Sequence, residues 1–368
     1  MIIDVIAGAR PNFMKVAALF AVAGDFPSVS LRLIHTGQHY DAAMSDVFLK
    51  ELELPTPHAH LGVGSGTQAE QVSAILTRYT AQVCTDRPDA CVVVGDVNST
   101  LACAIVAAKE GILLAHVEAG LRSFDRSMPE EINRMVTDRL SNVAFVSEPS
   151  GIANLAREGM PLDAIHFVGN TMIDTLLRMK RKAEGLRQHE ELGLSPRAYA
   201  LFTAHRPGNV DDPAMLDCIC RQLEWLASQI PVVFPVHPRT RRQLESGGLW
   251  ERLRGQPGLK LLEPLGYLES LALMMEAALV VTDSGGMQEE TSSLGVPCLT
   301  LRANTERPIT VESGTSTLIG NDWELFRRRV HTILTGPRDT QECNIPLWDG
   351  LAGRRIVQTL GRQPVLDR

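Results

Sequence analysis

The feature that most constrains the fold is an alternation of short apolar runs with longer segments of helical period. The first run, Ile2–Ala7, is followed by a helical pattern over residues 12–23. Because the runs are rich in Val, Ile and Leu and lack polar alternation, they predict parallel strands covered by helices on both faces. The same pattern predicts further strands at residues 31–35, 91–95, 113–117, 143–146, 165–168, 199–203, 232–236, 259–262, 279–282, 297–301 and 316–319. The chain is therefore expected to be of the α/β class.

The two halves of the chain begin alike. Gly8-Ala9-Arg10-Pro11 follows the first predicted strand, and Ala204-His205-Arg206-Pro207 follows the seventh. A chain of 368 residues has the length of two domains rather than one. We predict two doubly wound Rossmann-like domains over residues 1–170 and 171–350, with a C-terminal helix over 351–368 that is a candidate to pack back on the first domain. Loops at the carboxyl ends of parallel strands converge, so ligands are expected in the cleft between the domains.

Charge, hydropathy and cysteine content exclude several classes of protein. A net charge of -7 leaves no basic field for nucleic acid or anionic lipid. Apolar runs are far shorter than the ~20 residues that cross a bilayer, and Asp4 stands where a secretory signal would be basic. The 7 cysteines are scattered, which favours a reducing compartment. We expect a cytoplasmic protein that binds neither nucleic acid nor a membrane.

Two apparent cofactor signals are rejected. Residues 64–69 match the G-x-G-x-x-A pattern of dinucleotide sites, but residues 56–61 before them contain Pro57 and do not resemble the buried strand that the pattern requires. We interpret this segment as a loop that caps a helix from Thr67 onward. No metal is expected either, because neither of two close pairs has the spacing of a zinc site: His58 with His60, and Cys218 with Cys220.

Residues 283–290 form a phosphate-type arrangement, because an apolar strand precedes them and a helical segment follows. Gly285 and Gly286 allow a diphosphate to approach the backbone, and the helix N-terminus offers free N–H groups. Ser284 adds a hydroxyl donor, and Glu290 is placed to accept hydrogen bonds from ribose hydroxyls. The alternative is an ordinary Gly-rich turn with solvated acids in the first helical turn.

Three acids are predicted to converge between Gly95 and Arg134. Asp96 and Glu118 each stand where an apolar strand ends, which is the catalytic edge of such sheets. Glu130 has a competing interpretation, since Ser127-Met128-Pro129-Glu130 fits a capping box in which Glu130 reaches back to the Ser127 N–H. Arg134 follows one turn later and is either the ion-pair partner of Glu130 or a substrate ligand.

Several basic side chains also stand at strand ends. Arg10 and Lys15 flank the first strand-to-helix turn, where two cations could hold a diphosphate or balance an acid-lined cleft. The alternative for Lys15 is a surface position. His205 and His237 each follow a strand, and a loop histidine can act as an acid, a base or a donor. A histidine that caps a loop is the open alternative for both.

Taken together, these motifs resemble the non-hydrolysing UDP-N-acetylglucosamine 2-epimerase family, from Ile3 to Gly350. The motifs that carry the resemblance are Gly8-Ala9-Arg10-Pro11 with Lys15, Gly37-Gln38-His39, Gly95-Asp96, residues 118–122, Pro129-Glu130-Glu131 with Asn133-Arg134, residues 283–290, Thr305-Glu306-Arg307-Pro308 with Val311 and Gly314, and Pro346-Leu347-Trp348-Asp349-Gly350. The resemblance implies the glycosyltransferase-B type fold, with the active site in the interdomain cleft. It also implies a cytoplasmic homodimer that uses no nicotinamide or other cofactor.

The family's mechanism eliminates UDP with loss of the C2 proton to give 2-acetamidoglucal, and then adds UDP back after protonation on the other face. Carboxylates suit this proton transfer if burial raises their pKa towards neutrality. By resemblance, the catalytic residues are Asp96, Glu118, Glu130 and His205. The residues that bind the UDP-sugar are, by the same resemblance, Arg10, Lys15, Arg134, Ser284, Gly285, Gly286, Glu290 and Arg307.

Two positions depart from the family pattern. Asn12 replaces the usual Glu after the first Arg-Pro, and Gly208 replaces the Glu of the His-Arg-x-Glu-Asn motif. The second change lies where bacterial relatives bind an activating UDP-N-acetylglucosamine, so allosteric activation is not expected. Relatives that epimerise UDP-2,3-diacetamido-2,3-dideoxyglucuronic acid, or that hydrolyse while epimerising, share most of the motifs. A catalytically silent nucleotide-sugar sensor is a further alternative.

Overall fold

The computed structural model describes residues 1–37, 49–336 and 344–364. The chain divides into two compact units, the first formed by Met1–Arg178 with Pro346–Arg368 and the second by Met179–Ile345. The boundary between the units, at Arg178 and Met179, falls within a helix that starts at Thr171. The predicted domain boundary, after residue 170, lies just before that helix. Within the described residues, no helix is both long and apolar enough to span a bilayer.

The first unit is a parallel seven-stranded sheet with the strand order β3-β2-β1-β4-β5-β6-β7. Its strands are β1 (Ile2–Ala7), β2 (Ser30–His35), β3 (Ala59–His60), β4 (Ala90–Val94), β5 (Leu113–Val117), β6 (Val143–Val146) and β7 (Ile165–Phe167). Its connecting helices are α1 (Arg10–Val22), α2 (Gln68–Thr85), α3 (Asn98–Lys109), α4 (Pro129–Leu140), α5 (Pro149–Arg157) and α6 (Thr171–Leu186). The central strands β4 and β5 are buried along their whole length, as their predominantly apolar sequences predict.

The second unit is a parallel six-stranded sheet with the strand order β10-β9-β8-β11-β12-β13. Its strands are β8 (Ala200–Phe202), β9 (Val232–Pro235), β10 (Leu259–Leu262), β11 (Leu279–Thr282), β12 (Cys298–Thr300) and β13 (Ser316–Leu318). Its helices are α7 (Gln188–Glu191), α8 (Pro207–Val210), α9 (Pro213–Gln229), α10 (Pro238–Ser246), α11 (Trp250–Arg254), α12 (Tyr267–Met275), α13 (Gly285–Leu294), α14 (Ile309–Glu312) and α15 (Trp323–Thr335). Phe202 and Phe234 pack edge to face in its core, with ring centroids 4.8 Å apart.

The chain returns to the first unit through α16 (Ala352–Leu360), which packs on α1. Gly353 makes this approach possible, because a Cβ there would lie 2.4 Å from the backbone oxygen of Ala18. Asp174 accepts a hydrogen bond from the Gly353 N–H at 2.7 Å, so α6 supports the first turn of α16. The buried face of α16 includes Ile356 and Leu360, which explains the packing of this amphipathic segment.

Every predicted strand is present, with bounds that differ by at most a residue or so at each end. The prediction that residues 56–61 are not a buried strand is confirmed, but the sequence missed the short edge strand β3, which pairs with β2 through Ala59 and His60. Strand β3 is short, polar and only partly buried at the sheet edge, and so it lacks the apolar pattern of the other strands. The prediction for Thr67 is confirmed, since it is the N-cap of α2 and forms a capping box with Glu70.

Candidate active site

The turn between β1 and α1 is held against the end of β4 by Asn12. Its side-chain oxygen accepts hydrogen bonds from the N–H groups of Gly8 and Ala9, both at 3.1 Å. Its amide nitrogen donates to the Val94 carbonyl at 3.1 Å. A glutamate carboxylate has no donor for that carbonyl, so the departure from the family pattern at this position supplies a contact that Glu could not make. Asn12 therefore supports the turn that precedes Lys15.

Lys15 is buried, so the surface alternative is wrong. Its ammonium forms an ion pair with Glu118, and the two side chains are only 4% and 6% exposed. Gly95 has a φ of 65°, and a Cβ on it would lie 2.7 Å from the Lys15 nitrogen, so glycine leaves space for this cation. Glu118 itself has a φ of 72°, a strained conformation for a residue with a side chain. The backbone therefore carries strain at the residue that faces the buried lysine.

Asp96 follows β4 and is bound by two residues of α4. Arg134 donates to one Asp96 oxygen from Nε at 3.0 Å and from Nη2 at 2.7 Å. Asn133 donates to the Asp96 carbonyl at 2.8 Å, so both the side chain and the backbone of this residue are held. The two predicted acids at the ends of β4 and β5 are each paired with one cation, and Lys15 and Arg134 come from different helices.

The capping-box interpretation of Ser127 and Glu130 is wrong. The N-cap of α4 is Met128, and the Ser127 hydroxyl donates instead to Asp125 at 2.6 Å. Glu130 lies in the first turn of α4 with a partly exposed side chain, a position that leaves it accessible to a ligand. Glu131 has the structural role, which sequence analysis missed.

Glu131 is 1% exposed and organises the loop before α4. It accepts hydrogen bonds from the backbone N–H groups of Ser123 and Phe124 at 2.9 and 3.0 Å. Arg134 donates to it at 2.5 Å. The two adjacent glutamates therefore have different surroundings. Helical periodicity was the available sequence signal, because it places adjacent residues on different faces, so that only one of the two points inward.

His116 and Asp138 form a second buried pair that sequence analysis missed. They are 0% and 3% exposed, and the His116 Nδ1 lies 2.6 Å from an Asp138 oxygen. Burial would raise the pKa of Asp138, but the charges of His116 and Arg122 lower it below its ordinary value. The apolar run around His116 gave no hint that its side chain meets a carboxylate.

In the second unit, Asp283 binds the loop that carries His205. It is 0% exposed and accepts backbone N–H groups from His205 and Arg206, both at 2.9 Å. The His205 ring also lies against it, with Nδ1 2.9 Å from one carboxylate oxygen, and Asn209 donates to the other at 3.0 Å. Burial alone would raise the pKa of Asp283, but these contacts lower it to about 2. Asp283 is therefore ionised, and it orients the His205 ring.

The two loop histidines differ. The His237 Nδ1 accepts the Arg239 N–H at 3.2 Å, so the capping interpretation holds for His237. His205 lies with its ring centroid 5.5 Å from that of His237, and its side chain is 39% exposed. His205 is therefore oriented from behind by a carboxylate and accessible in front, which is the arrangement of a histidine that can exchange a proton with a ligand.

The phosphate-type segment begins α13, with Ser284 as the N-cap. Glu290 is 5% exposed and Glu289 is 1% exposed, so the alternative of solvated first-turn acids is wrong. A Cβ on Gly285 would lie 2.6 Å from a guanidinium nitrogen of Arg307. Glycine at this position therefore lets Arg307 approach the N-terminus of the helix, and Gly286 is the next residue of the same turn.

Three arginines surround Glu306 beside this helix. The Glu306 carboxylate lies 2.5 Å from Arg307, 2.7 Å from Arg302 and 3.7 Å from Arg206. Burial would raise its pKa, but the charges of Arg307 and Arg302 hold the pKa of Glu306 well below its usual range. Arg307 also pairs with Glu289 at 2.8 Å. The cluster places guanidinium groups beside a helix N-terminus, an arrangement that suits an anionic ligand.

Some predicted residues lie outside what the structure describes. Gln38 and His39 fall in the segment that follows residue 37, and Arg10 is described only through its backbone at the start of α1. Across the described ranges, no three His, Cys, Asp or Glu side chains are grouped so as to hold a metal ion.

Two Rossmann-like units, one with ion-paired acids at its strand ends and one with arginines beside a helix N-terminus, define a glycosyltransferase-B type protein. The family model of UDP-N-acetylglucosamine 2-epimerase matches residues 24–361. The chain belongs to the UDP-N-acetylglucosamine 2-epimerase family.

Individual relatives agree with this assignment. The chain is 40% identical to the UDP-N-acetylglucosamine 2-epimerase of Methanocaldococcus jannaschii, over 98% of this chain and 99% of the relative. A crystal structure of the M. jannaschii enzyme with UDP-GlcNAc and UDP superposes with a TM-score of 0.90 at 39% identity, and covers 99% of this chain and 100% of that one. The chain is also 36% identical to a Pseudomonas aeruginosa UDP-2,3-diacetamido-2,3-dideoxy-D-glucuronate 2-epimerase, over 97% of this chain and 98% of the relative. The predicted family and fold class are confirmed.

Proposed function

We propose that this enzyme interconverts UDP-N-acetylglucosamine and UDP-N-acetylmannosamine by epimerisation at C2. The observation that carries the proposal is the placement of Asp96 and Glu118 at neighbouring strand ends, each paired with one buried cation. A sugar carbon that loses a proton from one face and regains it on the other needs acid and base groups on both faces. Family membership supports the choice of nucleotide sugar.

The proposed chemistry has two steps. In the first, a carboxylate removes the C2 proton while the C1–O bond to UDP breaks, which leaves a C1=C2 double bond in 2-acetamidoglucal and UDP as the leaving group. In the second, an acid delivers a proton to the opposite face of C2, and a UDP oxygen reforms the bond to C1. The electrons balance without an oxidant or reductant, so the proposed reaction needs no cofactor.

Residues of the first unit are assigned to the sugar. Asp96, Glu118 and Glu130 are the proposed proton-transfer groups, and the side chain of Glu130 is partly exposed. Lys15 and Arg134 hold Glu118 and Asp96 through ion pairs. In this proposal both cations also balance the charge that develops near the sugar, and Arg10 is a further substrate ligand.

Residues of the second unit are assigned to UDP. Ser284, Gly285 and Gly286 at the start of α13 are proposed to bind the diphosphate, with Arg307 as the adjacent cation. Glu290 is proposed to accept hydrogen bonds from the ribose. His205 is proposed to act on the departing UDP, because Asp283 orients its ring. UDP is a better leaving group when its negative charge is stabilised.

Product analysis tests this function. Incubation of the purified enzyme with either sugar should give the same mixture of UDP-N-acetylglucosamine and UDP-N-acetylmannosamine, measured by proton NMR of the anomeric signals. Release of free N-acetylmannosamine would indicate the hydrolysing outcome instead. UDP-sugar binding by calorimetry without any product after long incubation would favour a sensor, and it would contradict the proposed activity.

The alternative substrate is the diacetamido-uronate, because the P. aeruginosa relative carries that name. The identity of 36% to that relative is lower than the 40% to the M. jannaschii enzyme, so the alternative is not favoured. Turnover of the two UDP-sugars at equal concentration distinguishes them. A higher kcat/KM for the uronate would replace the substrate that we propose and leave the C2 chemistry unchanged.

We further propose a homodimer, supported by exposed apolar side chains on α4. Ile132 and Val136 are one helical turn apart and are 47% and 37% exposed, so they present an apolar stripe to the solvent. Light scattering of the purified protein should give twice the mass of 40.3 kDa. Substitution of Ile132 by Glu should shift that mass to the monomer, and an unchanged dimer would assign the interface elsewhere. A cytoplasmic location remains a prediction from the cysteine content.

A further inference from the structure

The turns that carry Asp96 and Glu118 share one buried support. His116 lies on β5 two residues before Glu118, and its ring is completely buried. The Nε2 atom of His116 lies 2.7 Å from the carbonyl oxygen of Gly95, the residue immediately before Asp96. Its Nδ1 atom lies 2.6 Å from an Asp138 oxygen. One imidazole therefore connects the end of β4 with a carboxylate on α4.

Both ring nitrogens of His116 act as donors. A carbonyl oxygen only accepts, so Nε2 must carry a proton toward Gly95. Asp138 is held ionised by Arg122, whose Nη2 lies 2.7 Å from its second oxygen. An ionised carboxylate also only accepts, so Nδ1 carries a proton as well. His116 and Asp138 are therefore a buried imidazolium and carboxylate, whose hydrogen bonds are charge-assisted.

Asp138 also binds the turn that carries Glu118. The same oxygen that binds Arg122 accepts the Gly120 N–H at 3.1 Å, and Gly120 lies two residues after Glu118. Gly120 has a φ of 78°, and a Cβ there would lie 2.4 Å from the Gly151 carbonyl, so the turn has no room for a side chain. Through His116 and Gly120, one carboxylate is linked to the turns of both predicted acids.

We propose that His116 and Asp138 are positioning residues that set the separation of Asp96 and Glu118. The inference rests on the proposed epimerase function, which gives those acids their role. Reacting groups must be held to a fraction of an ångström, and a misplacement of about 1 Å can cost ~100-fold in rate. Neither positioning residue touches the sugar, so their loss is expected to lower kcat and to leave KM almost unchanged.

Three variants test the proposal in the full-length enzyme. His116→Phe keeps the ring and removes both donors, so we expect kcat to fall ~100-fold while KM changes less than about 3-fold. His116→Gln keeps an amide that can still donate to the Gly95 carbonyl, so it should restore about a tenth of the native kcat. Asp138→Asn removes the charge and keeps the shape, and it should resemble His116→Gln.

Asp4→Asn is the matched control. Asp4 lies on β1 of the same sheet, is 0% exposed and pairs with Arg32 at 2.7 Å, but it is three residues before the end of its strand and is not part of either catalytic turn. This variant should lose stability, measured by urea unfolding, and keep native kcat. An equal loss of kcat in Asp4→Asn and Asp138→Asn would overturn the proposal, because both would then report general destabilisation.

A second measurement does not depend on activity. In wild-type protein labelled with ¹⁵N-histidine, long-range ¹H–¹⁵N spectra at pH 7 should show both nitrogens of His116 protonated, and the signals should be assigned by their absence in His116→Gln. A single protonated nitrogen, or native kcat in folded His116→Phe, would overturn the inference. If His116→Phe does not fold, native kcat in folded His116→Gln or Asp138→Asn would overturn the inference instead. An inactive wild-type enzyme with both protons present would overturn the epimerase function, whereas an active enzyme with one proton would overturn only this inference.

Discussion

The two units carry charge differently at the carboxyl ends of their sheets. In the first, Glu118 pairs with Lys15, and Arg134 binds both Asp96 and Glu131. In the second, three arginines surround the carboxylate of Glu306. Carboxylates held by single cations are placed for proton transfer, whereas guanidinium groups beside a helix N-terminus suit a diphosphate. The difference agrees with the division between proton transfer and nucleotide binding that we propose.

The largest expected effect is the difference between substitutions of the two adjacent glutamates of α4, Glu130 and Glu131. Glu130→Gln should lower kcat ~100- to 10,000-fold, because a positioned acid or base is lost, and should change the free energy of unfolding by at most about 1 kcal/mol. UDP affinity, measured by calorimetry, should remain native because the proposed UDP residues belong to the other unit. Near-native turnover by folded Glu130→Gln would remove it from the catalytic residues.

Glu131→Gln is the comparison for that experiment. An amide nitrogen would face the donors of Ser123, Phe124 and Arg134, so this variant should be destabilised by about 1–3 kcal/mol in urea. Equal stability of the two variants would contradict the different roles that we assign to the adjacent residues.

A second prediction concerns the buried ion pair of the first unit. Lys15→Met leaves Glu118 buried beside an apolar side chain, and removal of one partner of a buried ion pair typically costs about 3–5 kcal/mol. We expect that loss in urea unfolding, together with loss of turnover. Lys109→Met is the control, because Lys109 is exposed at the end of α3. If Lys15→Met were as stable as the control, the ion pair would not hold Glu118.

A third prediction concerns the arginine cluster of the second unit. Arg307→Lys keeps one charge but loses the planar fork, so UDP affinity should fall about 10- to 100-fold by calorimetry. The stability of the first unit should not change. Arg329→Lys on α15 is the control, since Arg329 is exposed. Equal UDP affinity in the two variants would place the diphosphate away from Arg307.

The smallest expected effect is the pH dependence of stability that comes from Asp174, a carboxylate that accepts hydrogen bonds from backbone N–H groups. Burial raises the pKa of Asp174 from 3.8 to about 6, although the N–H groups of Gly353 and Ala352 lower it in part. The protonated form is therefore favoured on folding, and the stability from this group is present below pH 4 and is lost as the pH rises from about 4 to about 6. The loss is at most about 3 kcal/mol.

Asp174→Asn should abolish this dependence. The difference in unfolding free energy between variant and wild type should shift in favour of the variant between pH 4 and pH 7. Asp163→Asn, at an exposed position, should show no such shift. A parallel pH dependence of Asp174→Asn and wild type would mean that Asp174 does not titrate in this range.

The sequence predicted the strands well because buried parallel strands consist of nearly continuous apolar residues. The edge strand β3 escaped prediction, since its two residues are partly exposed and pair on one side only. Asp96 and Glu118 were found for the same reason as the strands, because each stands where an apolar run ends.

Side-chain direction was harder to predict than position. The Ser127 capping box fitted the residue spacing, but the hydroxyl found a closer partner in Asp125. Lys15 lies among apolar residues of α1, which indicated burial, but only the tertiary structure shows that Glu118 is its partner. The arginine cluster joins the loop after β8, which carries Arg206, to the loop after β12, which carries Arg302 and Arg307, so no local pattern could reveal that Arg206 approaches Glu306.

The central claim is that C2 loses its proton to the protein during each epimerisation. The direct measurement is the reaction of UDP-N-acetylglucosamine in deuterated water, followed by proton NMR and mass spectrometry of the product. We predict that every molecule of UDP-N-acetylmannosamine carries one deuterium at C2, because the abstracted proton exchanges before the opposite face is protonated. Epimerisation with full retention of the original proton would contradict the mechanism.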